Sequence, residues 1–117
     1  ITAGMKGTSY PKQRAMLELM DAVTRKDYEA AARLTPLVTA WEMSPLVEAQ
    51  VDLCRARAAL LLMENSEGEA RKTHRHEAIH RLLSCKEKGG KSVLVTLAEE
   101  TLAALPAEAE EQEVTGS

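Results

Sequence analysis

The stretch from Ser44 to Met63 constrains the fold more than any other part of the chain. Ser44 and Pro45 form a helix start signal, because serine caps a helix amino terminus and proline is tolerated in the first turn. The helix that they open carries a long apolar stripe, and alanine and leucine fill most other faces of its second half. A helix with this pattern is normally buried on several sides. We therefore predict that it is the central element of a helical bundle.

Composition supports helices over sheets. The 117 residues include two tyrosines, one tryptophan and no phenylalanine, while 44% of the chain is apolar. The core must then consist mainly of Leu, Ala, Val and Met, which suits close helix packing. No convincing alternation of apolar and polar residues predicts a strand. We predict an all-α fold: a small bundle of about five helices.

The remaining helices follow from start and stop signals. Helical spacing of apolar residues predicts a first helix over 12–25, and Asp27 is a suitable cap for a second. Pro36 should interrupt the second helix, because proline lacks an amide hydrogen and clashes with the preceding turn. The domain boundaries expected are a flexible lead-in over 1–11, a single helical domain over 12–105 and a disordered acidic tail over 106–117.

Two further helices complete the predicted domain. Ser66 and Glu69 have the spacing of a capping box, which predicts a fourth helix through about Cys85. Ser92 should cap a fifth helix that Pro106 ends.

Two segments resemble the second helices of tetratricopeptide repeats. They are Asp27-Tyr28-Glu29-Ala30-Ala31 and the run from Arg75 to Leu83. The resemblance implies helical-hairpin packing. The run from Met16 to Trp41 is also similar to the small all-α export chaperones of flagellar and type III secretion systems, which implies binding of a partner protein.

Charge, hydropathy and cysteine content narrow the functional classes. The net charge of −3, with both signs interspersed, argues against nucleic-acid binding. No apolar run approaches the ~18 residues of a membrane span, and no secretory signal is visible. Cys54 and Cys85 are too few and too far apart for a disulfide framework, so we expect free thiols. We therefore expect a cytoplasmic protein with no membrane partner.

One short motif indicates chemistry. The segment Thr73 to His80 contains His-Glu-x-x-His and resembles the zincin metallopeptidases. That resemblance implies zinc ligands at His76 and His80, a general base at Glu77 and a third ligand at Glu99. Arg81 would place a cation beside the metal, and no predicted strand is available to hold a peptide substrate. Zinc peptidase activity is therefore the alternative hypothesis.

The preferred hypothesis is a non-catalytic protein–protein interaction module, an adaptor or small chaperone, that needs no cofactor. Its partner is expected to be an amphipathic helix bound in an apolar groove. Trp41 and Met43 are candidate partner contacts, because Trp and Met are common where helices dock, although Trp41 also fits a core position. The sequence leaves open whether the chain forms a homodimer.

Overall fold

Five α-helices form the structure. The computed structural model describes residues 2–105, with side chains from residue 11 onward. The helices are α1 (Thr2–Arg25), α2 (Tyr28–Leu34), α3 (Pro45–Glu64), α4 (Gly68–Gly89) and α5 (Val93–Ala104). A single 3-10 turn (Thr35–Leu37) follows α2, and residues 2–105 contain no strand. The predicted all-α bundle of about five helices is confirmed.

The predicted starts of α2 and α3 are confirmed by their side-chain caps. The Asp27 carboxylate accepts a hydrogen bond from the amide of Ala30 at 3.1 Å, and the Ser44 hydroxyl oxygen accepts one from the amide of Val47 at 3.4 Å. Each bond satisfies an amide that has no partner within its helix. Pro36 lies in the 3-10 turn directly after α2, so the predicted interruption is also confirmed.

The first helix is longer than the sequence predicts. Residues 2–11, which were expected to form a flexible lead-in, have helical backbone, and Pro11 lies inside α1. Extending an existing helix orders one residue for each hydrogen bond gained, whereas starting a helix orders several. The helix over 12–25 can therefore continue toward the amino terminus through a sequence that would not start a helix itself.

The capping box predicted at Ser66 and Glu69 is wrong. The helix begins at Gly68 without a side-chain cap, and the Ser66 hydroxyl donates a hydrogen bond to the carbonyl of Leu62 at 2.8 Å. Ser66 therefore completes the end of α3. At its other end α4 continues past Cys85 to Gly89, and in its last turn the Lys88 ammonium lies 3.1 Å from Glu48 on α3.

Two hydrophobic clusters lie on opposite faces of α3. The first joins α3 to α1, α2 and the 3-10 turn, and its α3 members are Val51, Cys54, Ala58 and Leu61. The second joins α3 to α4 and α5, and its α3 members are Ala49, Leu53 and Ala56. At 100° per residue these two sets point in nearly opposite directions. The prediction that α3 is the central, most buried element is confirmed.

Helix α5 is placed by a close approach to the end of α4. A Cβ atom at Gly89 would lie 2.7 Å from the Val95 methyl group, so only glycine allows this contact. The contact holds the first turn of α5 close to the end of α4. None of the helices within 2–105 has the length and apolarity needed to cross a bilayer.

Two expectations stay predictions. Tetratricopeptide-like packing of the helical hairpins is one of them. The acidic tail over 106–117 is the other, and it lies outside the described residues.

Candidate functional site

An apolar groove runs along α3 between α1 and α5. Its volume is about 580 Å³. We call it the α1–α3–α5 groove. It is lined by Met16, Leu17, Met20, Val23 and Thr24 of α1, by Gln50, Leu53, Cys54 and Arg57 of α3, and by Leu94 and Leu97 of α5.

The floor of the groove is a third face of α3. Gln50, Arg57 and Glu64 are spaced seven residues apart, so they lie nearly in line along the helix. This line falls between the two faces that carry the hydrophobic clusters. The clusters hold α1 and α5 against α3 from either side, and the face between them stays open. The groove therefore results from the packing of the fold.

Large apolar side chains in the groove are exposed to solvent. Leu17 is 61% exposed, Met20 45% and Leu97 38%. The groove continues past Val23 and Arg57 into a second cleft of about 400 Å³, where Lys26, Glu64 and Glu100 bring charge to its far end. The whole surface is thus apolar at one end and charged at the other.

Arg57 stands out among the arginines of the chain. Six of the eight arginines interact with a partner in the structure, namely Arg14, Arg25, Arg55, Arg71, Arg75 and Arg81. Among the described residues only Arg33 and Arg57 have none. Arg33 lies on α2 outside the groove, whereas Arg57 lies in the groove floor. An exposed guanidinium beside apolar side chains is a ready partner for a carboxylate.

The Cys54 thiol contributes to the groove wall. Its Sγ lies 3.8 Å from the carbonyl oxygen of Met16, to which it donates, and its side chain is largely buried. Burial raises the pKa of Cys54 to about 11, although Arg57 and Arg55 act in the opposite direction. The group is therefore a neutral thiol near pH 7 and behaves as a small apolar side chain.

Trp41 and Met43 lie outside this groove. Both are in the loop before α3, where Trp41 is partly buried and packs against the first hydrophobic cluster. Met43 is 98% exposed. Their role as partner contacts stays a prediction.

The zincin-like residues lie on α4 and α5. His76 and His80 are one turn apart on an exposed face of α4. The Glu77 carboxylate accepts a hydrogen bond from Arg81 Nε at 2.8 Å and lies 4.0 Å from a guanidinium nitrogen of Arg55. Glu99 of α5 lies 3.8 Å from Lys86 Nζ. Within the described part of the chain, no three His, Cys, Asp or Glu side chains are arranged to hold a metal ion. The zinc alternative stays a prediction.

A buried polar network on the remaining face of α3 was not predicted from the sequence. Asp52 is 2% exposed and accepts hydrogen bonds from Arg81 at 2.9 Å and from the Ser84 hydroxyl at 2.6 Å. Burial lowers the pKa of Arg81, but its hydrogen bonds to Glu77 and Asp52 outweigh this effect and raise the pKa overall. Burial and the neighbouring Arg81 lower the pKa of Arg55. The network fixes α4 against α3.

Sequence reasoning also missed Arg57 as a functional candidate. The available signal was an arginine in the long, largely apolar helix after Pro45, followed seven residues later by another charged residue, Glu64. That spacing places both residues on one side of α3, but it does not show that the neighbouring helices leave this side exposed.

Comparison with known proteins provides no relative. No protein-family model matches the chain, and neither a curated protein nor a solved structure is significantly similar to it.

Proposed function

We propose that this protein is a non-catalytic interaction module, an adaptor or small chaperone, that binds an amphipathic helix of a partner protein in the α1–α3–α5 groove. The observation that carries the proposal is the exposure of Leu17, Met20 and Leu97 around one continuous apolar groove. Burying such side chains against a partner removes apolar surface from water, which is the main driving force of association.

The shape of the groove favours a helix as the occupant. Its walls and floor are three helices, so a fourth helix would complete a bundle. The floor of the groove and of the adjoining cleft, from Gln50 to Glu64, covers about 14 residues, or about 21 Å at 1.5 Å per residue, which accommodates a partner helix of about four turns. Met16 and Met20 line one wall, and flexible methionine side chains adapt to partner surfaces of different shape.

A display selection tests the proposal. A library of helix-favouring peptides of about 16 residues is selected against the full-length chain, and each enriched peptide is then measured by fluorescence anisotropy. We expect amphipathic sequences with apolar residues at helical spacing. Leu17→Glu and Leu97→Glu should each weaken their binding by about tenfold or more, because a charge replaces a Leu side chain at the contact.

Leu83→Glu is the matched control. Leu83 is 51% exposed on α4, outside the groove, so the same substitution there should leave peptide binding unchanged. Circular dichroism and thermal melting would verify that all three variants are folded. Enrichment of peptides whose binding is equally sensitive to Leu83→Glu, or a failure to enrich any amphipathic peptide, would contradict the proposed function.

A further inference from the structure

We infer that the partner helix presents a carboxylate to Arg57. This inference rests on the proposed function and specifies the chemistry of the partner. The occupant is thus a helix with an apolar face and one Asp or Glu at a fixed position in that face or at its edge.

The position of Arg57 requires an anion on the partner. An occupant of the groove would cover the Arg57 guanidinium, which lines both the apolar groove and the adjoining cleft. Covering a cation removes its water, and this is unfavourable unless an anion or other acceptors replace that water. No carboxylate of the described residues is paired with Arg57. Glu64 and Glu100 line the same cleft as Arg57, but neither is paired with it. We therefore expect the occupant to supply the carboxylate.

The layout of the groove also sets where the carboxylate lies. Gln50 and Leu94 line only the apolar groove, Leu60 and Glu64 line only the second cleft, and Arg57 lines both. Arg57 is therefore at the junction, midway along the floor line from Gln50 to Glu64. The partner carboxylate should therefore lie one or two turns from the apolar anchors of the partner helix, on the side of the second cleft.

A charge-swap experiment tests the inference on the full-length chain. The probe is the tightest peptide from the selection, together with versions in which its acidic residue is replaced by Gln or Lys. Against the wild-type chain, we expect the acidic peptide to bind at least fivefold more tightly than the Gln version. Against Arg57→Glu, this order should reverse, so that the Lys version binds best.

Arg33→Glu is the matched control, because Arg33 is the other arginine that lacks a partner among the described residues and it lies outside the groove. It makes the same change in net charge, so it reports any effect of overall charge. A preference for the acidic peptide that survives Arg57→Glu, or falls equally with Arg33→Glu, would overturn the inference. The inference would also be overturned if the selected peptides needed Leu17 and Leu97 for binding but shared no acidic residue at a fixed position. The proposed function would still stand in that case.

Two other occupants are separated by further measurements. Sedimentation of the chain alone would reveal a dimer, and its dissociation by Leu97→Glu would show that a second copy fills the groove. The segment 106–117 contains four glutamates and no cation. A variant that combines Glu108→Gln, Glu110→Gln, Glu111→Gln and Glu113→Gln removes these carboxylates. If this variant bound the acidic peptide more tightly than the wild type at constant ionic strength, the carboxylates of the chain itself would be the partner of Arg57. Either result would overturn the inference.

Discussion

Glu77 is the residue at which a catalytic role and a structural role make opposite demands. A general base beside a metal must have a carboxylate that is free to accept a proton from water. In the structure the carboxylate of Glu77 instead binds Arg81 and lies near Arg55. The guanidinium groups of Arg55 and Arg81 share the Glu77 carboxylate. Removal of its negative charge would leave two neighbouring cations with less opposite charge beside them.

We therefore predict that Glu77→Gln destabilises the protein by about 1 kcal/mol, the size of a charged hydrogen bond that is partly exposed. Urea unfolding followed by circular dichroism would measure the change. Glu87→Gln is the control, since Glu87 is exposed on the same helix and has no partner in the described region. Unchanged or increased stability of Glu77→Gln would contradict a structural role, and an increase is common when a catalytic residue is removed.

At the scale of single helices, the central helix α3 shows what the sequence could and could not predict. Its start at Ser44-Pro45 and its burial follow from local chemistry, and both are confirmed. Periodicity alone could not show which face would meet α1, which would meet α5 and which would stay open. Those assignments depend on contacts between distant parts of the chain, such as Cys54 of α3 against Met16 of α1. The apolar face could be predicted, whereas the groove could not.

The polar face of α3 allows a prediction about burial and charge. Asp52–Arg81 and Asp21–Arg25 are both ion pairs of 2.9 Å, but the Asp52 side chain is 3% exposed and the Asp21 side chain 63%. We predict that Asp52→Asn lowers the free energy of unfolding by about 2–3 kcal/mol, because it leaves Arg81 partly buried without its full countercharge. Asp21→Asn should change it by less than about 0.5 kcal/mol.

Chemical denaturation of both variants, and of the Asp52→Asn/Arg81→Met pair, would measure these effects. The double variant should recover part of the lost stability, since it removes the uncompensated cation as well. Equal losses for Asp52→Asn and Asp21→Asn would show that the buried network contributes no more than a surface ion pair.

At the scale of the whole molecule, α3 joins two hydrophobic clusters that have no other large connection. The first cluster contains the fully buried Leu19 of α1, and the second contains the fully buried Leu82 of α4. Because both clusters pack on one helix, loss of either should expose α3 and remove the support of the other. We therefore expect the described helices to unfold as one cooperative unit.

Leu19→Ala and Leu82→Ala test this expectation. Each deletes a buried leucine side chain and should lower the stability by about 2–5 kcal/mol. Trp41 packs against the first cluster, so its fluorescence reports directly on that cluster and not on the second. If the two clusters unfold together, Leu82→Ala must shift the fluorescence transition of Trp41 as much as the circular dichroism transition. A fluorescence midpoint that stays at the wild-type value in Leu82→Ala, while helicity is lost at lower denaturant, would show that the clusters unfold independently. The α1–α3–α5 groove, whose walls belong to both clusters, would then lose its α5 wall before its α1 wall.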